Sequence, residues 1–275
     1  MADELVEASD GTPLYVEVHG QGVPFVLSCA FCTTHENWRA QVAPLTAAGA
    51  KLVLWDYRGH GRSGAPADPG GYSMDQVVDD LRRVVDATCD GQPAVLGGLS
   101  FGGLCSLHFT LRHRERVRAL VLVDSGPGFK NPEALAGWTA QVERTARFLE
   151  ERGFRAFVDG RAGATCVGRE PDLPAARAAG DAIAAQDAAA VAAFGRRVAG
   201  PAPPVIDALP DIDVPALVLV GEEDRPYLRA ADVMAAKLPR AEKVVIPGAG
   251  HIVNIEAAER FDAEVVRFLK ERVLG

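Results

Sequence analysis

Positive charge is in short supply in this 275-residue chain: 29 Lys and Arg stand against 37 Asp and Glu, a formal net charge of −8. No run of Lys or Arg is long enough to follow a phosphate backbone, so a nucleic-acid partner is not expected and the acidic balance reads as a solubility feature. No apolar stretch approaches the length of a membrane span. The first residues, Met-Ala-Asp-Glu-Leu-Val-Glu, carry acid where a signal peptide needs base. A cytoplasmic location without a membrane partner is expected. Cysteine is scarce too: five residues, an odd and scattered set, speak against a disulfide framework and for reduced thiols. Cys29 and Cys32 form a C-x-x-C, but Thr33 and Thr34 follow where a redox motif would open a helix, so both read as lining residues. No internal repeat is visible.

What the chain has is alternation. With 48% hydrophobic residues it can bury one large core with an inserted subdomain. Segments 4–8 and 13–19 alternate in polarity around Asp10-Gly11-Thr12, the pattern of an antiparallel hairpin. Continuous apolar runs at 25–27, 52–55, 94–96, 119–123, 216–220 and 243–246 are separated by helical spacing at about 35–48, 74–87, 101–113, 230–238 and 257–273. Strands alternating with helices indicate a mostly parallel sheet covered on both faces. The interval 126–213 breaks the rhythm: it is rich in Ala and Arg, carries several plausible short helices and has no comparable strand run. An insertion there lies over the carboxyl edge of the sheet, where ligands bind. Its aromatics, Trp138, Phe148, Phe154, Phe157 and Phe194, either line a cavity or form the core of the insertion itself. Pro201-Ala-Pro-Pro204 marks the return to the sheet.

The chemistry centres on Gly98-Leu99-Ser100-Phe101-Gly102, a G-x-S-x-G sequence between a strand and a helix. Such a turn exposes the serine hydroxyl and aims the first amides of the helix at whatever it attacks. Serine needs a base within hydrogen-bonding reach, itself oriented by a third group. His251 follows the last strand run in Gly248-Ala249-Gly250-His251, and Asp224 follows the run before it. Glu222, Glu223 and Asp124 are the alternative acids, Asp124 ranking second to Asp224. Phe101 N–H and the loop after Leu27, where Ala30 is favoured, are the expected oxyanion donors. Phe31, Cys32, Trp138 and Ile252 are the expected substrate-binding residues. Histidines 19, 35, 60, 108 and 113 read as structural or solvated, with His35 the one that approaches the pocket.

With these residues placed, the chain resembles the α/β-hydrolase superfamily over nearly its whole length, on Gly98 to Gly102, the turn Asp56-Tyr57-Arg58-Gly59-His60-Gly61-Arg62-Ser63, and Gly250-His251. Leu27-Ser28, Thr33-Thr34, Trp38, the Ser100 turn, His251-Ile252 and Asn254-Ile255-Glu256 look most like 3-oxoadipate enol-lactonases and related carboxylic ester hydrolases. The resemblance implies an eight-stranded α/β-hydrolase core, 1–127 and 206–275, with a helical cap at 128–205 inserted after strand 6. It also implies a Ser-His-Asp hydrolase of small esters or lactones, with neither cofactor nor metal. Carbon–carbon hydrolysis of ring-cleavage products and slow-turnover ligand binding are the other readings on the same residues, and a homodimer is left open. Two departures stand out. Ser28-Cys29 replaces the usual His-Gly, and Cys29-Ala30-Phe31-Cys32 replaces the lactonase Asn-Ser-Leu-Gly.

Overall fold

The computed structural model describes residues 2–274. Among them, eight strands form one sheet: β1 (Ala2–Glu7), β2 (Pro13–His19), β3 (Val23–Ser28), β4 (Ala50–Trp55), β5 (Ala94–Leu99), β6 (Val117–Val123), β7 (Ala216–Gly221) and β8 (Ala241–Ile246). Their order is β1-β2-β4-β3-β5-β6-β7-β8. The β1–β2 and β2–β4 pairs are antiparallel and the rest parallel. A 3₁₀ segment at His35–Gln41 runs into α1 (Val42–Ala47), followed by α2 (Met74–Thr88) and α3 (Phe101–Arg112). Between β6 and β7 lie α4 (Pro132–Val158), α5 (Ala164–Val167), α6 (Pro174–Ala184) and α7 (Ala188–Phe194); α8 (Arg225–Lys237), α9 (Val253–Glu256) and α10 (Ala258–Arg272) complete the set.

The apolar runs become the central strands because both faces of a parallel sheet are covered: every residue of β5 and β7 is buried. Helix α2 shows the matching pattern, with Ser73 Oγ accepting from Gln76 N–H at its start and Val77, Leu81 and Val84 turned inward.

Two boundaries differ from expectation. Gly97 and Gly98 do not end β5; they pair with Leu27 and Ser28 of β3 and with Val121 and Leu122 of β6, so the strand runs on to Leu99. Helix α8 starts at Arg225, ahead of its apolar pattern, because Pro226 fits a first helical turn and needs no amide partner there. The insertion carries several helices, as its sequence suggests, and the first, α4, is interrupted at Gly153 with φ 75° and ψ 171°. Asn131 caps it by accepting from Glu133 and Ala134 N–H. It packs against α6 and α7.

The turn after β4 is held by a buried charge. Arg58, fully buried, donates to both oxygens of Asp80 at 2.6 Å and to Asp10 at 2.8 Å. Burial pushes the Asp80 carboxyl up even against that guanidinium, so desolvation consumes much of the attraction. Removing one partner is what costs: Asp80→Asn leaves the buried guanidinium with Asp10 as its one carboxylate and is expected to lower stability by about 3 kcal/mol. Thermal unfolding checks this, with a fall in Tm of roughly 10 °C expected for a chain of this size; a shift within ~1 °C would contradict it.

Candidate active site

Ser100 stands where β5 turns into α3, with φ 55° and ψ −114°, a conformation L residues adopt only under constraint. The constraint is packing. A Cβ at Gly98 would lie 2.1 Å from the carbonyl carbon of Gly102, and one at Gly102 would lie 2.5 Å from Ser28 O. Only glycine lets β5, α3 and β3 approach this closely. Hydrogen bonds hold the turn: Ser100 N–H donates to Val123 O at 2.8 Å and Ser125 Oγ donates to Ser100 O at 2.6 Å.

His251 and Asp224 come together from the turns after β8 and β7, with Nδ1 to Oδ2 at 2.8 Å. Glu222 turns away to accept from Gly248 N–H at 2.9 Å, and Glu223 is exposed. Asp124 lies beside the pair, fully buried, with φ 41°. It, Asp224 and His251 bring their side-chain ligand atoms within 4.8 Å of one another. Its Oδ1 accepts from Gly221 N–H at 2.8 Å, while Oδ2 has no hydrogen-bond partner among the described residues. Burial, and then the charge of Asp224, push the Asp124 carboxyl well above the usual carboxylate range. The two acids ranked first from sequence therefore sit in one cluster, with the imidazole on Asp224.

The hydroxyl of Ser100 meets a partner that sequence reasoning missed. Its Oγ is 3.4 Å from Tyr227 Oη, and among the described residues no hydrogen bond joins it to His251. The Tyr227 ring lies 4.9 Å from the imidazole, tilted by 32°. Its place three residues past Asp224, in the first turn of α8, was the available signal. Serine–base contacts are commonly loose before substrate arrives.

The loop after β3, where a second oxyanion donor is expected, turns on Thr33. Ala30 N–H is already donated to Thr33 Oγ1 at 2.9 Å, and Thr33 Oγ1 donates back to Ala30 O at 3.0 Å. Phe101 is the first residue of α3, where helix amides have no intrahelical partner. Neither its N–H nor that of Phe31 has a hydrogen-bond partner among the described residues. Ser28 is buried; its Oγ accepts from Trp55 Nε1 at 3.0 Å and its carbonyl from Trp38 Nε1. Tyr57 Oη donates to Cys29 O at 3.0 Å. Burial raises the thiols of Cys29 and Cys32 far above their usual pKa, and all five cysteines are free and buried.

A cavity of about 230 Å³ opens beside Ser100, walled by Phe31, Phe101, Leu104, Phe129, Trp138 and Tyr227. Phe31 and Trp138 thus fall where substrate-binding residues were expected. Cys32 and Ile252 lie outside this lining, both buried, with Cys32 O accepting from Gln186 Nε2 at 3.0 Å. The aromatics of the insertion divide: Trp138 faces the cavity, Phe154 and Phe157 pack on each other, and Phe194 is buried 5.4 Å from Phe101. His35 does not reach the pocket. It is buried between Asp56 at 2.7 Å and Glu17 at 3.2 Å, and although burial opposes its charge, these carboxylates and Glu36 push it up to about 11. Glu17, His35 and Glu36 could group around a cation, but Arg39 already bonds both glutamates.

The sequence model of the alpha/beta hydrolase fold matches residues 23–258. The chain belongs to the α/β-hydrolase family. That membership, with the eight-stranded mostly parallel sheet, bears out the expectation of fold and of a hydrolase enzyme. The enol-lactonase from Burkholderia xenovorans LB400 is 28% identical, with a TM-score of 0.82 over 98% of this α/β-hydrolase and 100% of that chain. A thermophilic esterase from Thermogutta terrifontis is 26% identical, with a TM-score of 0.85 over 98% and 99%. The 2-(acetamidomethylene)succinate hydrolase of Mesorhizobium japonicum is 28% identical over 74% of this chain and 72% of its own. No helix among the described residues is long and apolar enough to cross a membrane.

Proposed function

We propose that this α/β-hydrolase cleaves small carboxylic esters, or lactones, through an acyl-enzyme on Ser100. Ser100 Oγ attacks the carbonyl carbon while His251 Nε2 takes the hydroxyl proton; Asp224 orients the imidazole and balances its charge. The tetrahedral oxyanion is held by Phe101 N–H and by the loop after β3, where the unengaged Phe31 N–H supports Phe31 as second donor in place of Ala30. The C–O bond breaks as His251 returns the proton to the leaving alcohol. Water, deprotonated by the same imidazole, then attacks the acyl-enzyme, and the acid leaves. Residues 128–205 act as the cap over core residues 1–127 and 206–275.

The observation that carries this reading is the 2.8 Å His251–Asp224 bond at the same sheet edge as the strained Ser100. A p-nitrophenyl ester series from acetate to octanoate, run beside a lactone panel, tests it. Turnover is expected for the short esters, falling once the acyl chain outgrows the cavity. Absence of turnover on every ester and lactone would count against it.

A further inference from the structure

The cavity beside Ser100 carries no charge. Its remaining walls are Gly126, Pro127, Gly128, Ala199, Ala202, Pro226 and Ala230, so no Lys, Arg or His lies in its lining. Its polar side-chain groups are few. Trp138 Nε1 is already donated to Ala199 O at 2.8 Å, which leaves Ser100 Oγ and Tyr227 Oη, 3.4 Å apart, as the pair free to meet a ligand. Arg169 and Arg196, in the segment over the sheet edge, are engaged by Glu256 and by Glu143 and Glu150. A carboxylate brought against these walls loses part of its water and finds no cation in return, which is unfavourable. An apolar group does the reverse. Cavities of about 150 Å³ hold benzene, so this one admits a phenyl-sized group with a few further carbons.

The enol-lactone of 3-oxoadipate keeps one of its two carboxylates free, and the lining of this cavity offers that group no cation. Resting on the ester-hydrolase reading, we propose that the substrate is a small uncharged ester whose apolar half fills the cavity, that Tyr227 Oη donates to one of its ester oxygens beside Ser100, and that carboxylate-bearing esters and lactones are refused. Tyr227 is suited to this because its ring is fixed against His251 and its hydroxyl already stands at the nucleophile. Burial raises its pKa, so it stays a donor across the working range.

The test compares two esters of nearly one shape and one leaving group, p-nitrophenyl butyrate and mono-p-nitrophenyl succinate, on the full chain, with and without Tyr227→Phe. The neutral ester is expected to be favoured at least about 100-fold in kcat/KM, the scale set by burying an unpaired carboxylate. Tyr227→Phe is expected to raise KM for the neutral ester about tenfold with kcat and its pH profile little changed, the mark of a bond made equally to substrate and transition state. Comparable kcat/KM for both esters would overturn the refusal of anions, and an unchanged KM would overturn the role of Tyr227. Both results leave the serine mechanism standing. Turnover of neither ester while a phosphonate still labels Ser100 would overturn the substrate class alone, and loss of that labelling would remove both readings.

Discussion

Ser100→Ala is expected to lower kcat for the best ester by roughly four to six decades, as removal of the nucleophile does in other triads. The scaffold should be nearly untouched. Ser100 is a buried-strand-to-helix corner whose backbone bonds, to Val123 O and from Ser125 Oγ, involve its main chain, and both survive the substitution. The φ of 55° is equally awkward for alanine, so the strain is neither relieved nor worsened. Glycine is different. It adopts that φ freely, and Ser100→Gly should be inactive yet more stable than Ser100→Ala by about 1 kcal/mol. Esterase kinetics and thermal melts on the two variants check this, and an inactive but more stable glycine variant would show that the fold stores strain at Ser100. A Ser100→Ala variant retaining most activity would remove the mechanism.

Asp224→Asn is expected to cost about three to four decades in kcat, since an amide can hold the imidazole in the wrong tautomer. Asp124→Asn should cost less than tenfold. The reason lies in the cluster: burial and the neighbouring Asp224 charge push the Asp124 carboxyl well above the usual carboxylate range, which favours its protonated form, and an amide has the shape of a neutral acid. The Asn carbonyl can keep the bond from Gly221 N–H while its NH₂ faces the Asp224 carboxylate. Asp124→Ala, which abandons Gly221, should lose stability. kcat across pH 5–9 for the two Asn variants separates the roles. A dead Asp124→Asn beside a nearly active Asp224→Asn would transfer the acid to β6.

Much of this site was legible because its signals are local. A strand run, small residues, a serine and a helical pattern fall within a dozen residues around Ser100, and chain order alone put Asp224 and His251 at neighbouring strand ends. The misses share a physical origin in contacts that spacing does not encode. Gly97 and Gly98 look like a strand end, but a Cβ at Gly97 would run into the side chains of Leu27 and Phe25 and one at Gly98 into the backbone of Gly102. Ala30 is in the right place on the loop, yet its amide is captured by a threonine three residues on. His35 precedes a helical pattern near the loop, but carboxylates from β2 and the β4 turn bury it elsewhere. Tyr227 was hidden because α8 begins five residues before its apolar spacing does, which brings a ring over His251.

The measurement that addresses the central claim most directly is covalent labelling with a p-nitrophenyl alkylphosphonate, followed by intact mass and peptide mapping of the wild type and Ser100→Ala. The account predicts one adduct per wild-type chain, on the peptide carrying Ser100, with p-nitrophenol released in step and no adduct on the variant. An unlabelled wild type, or an adduct that persists in Ser100→Ala, would contradict it.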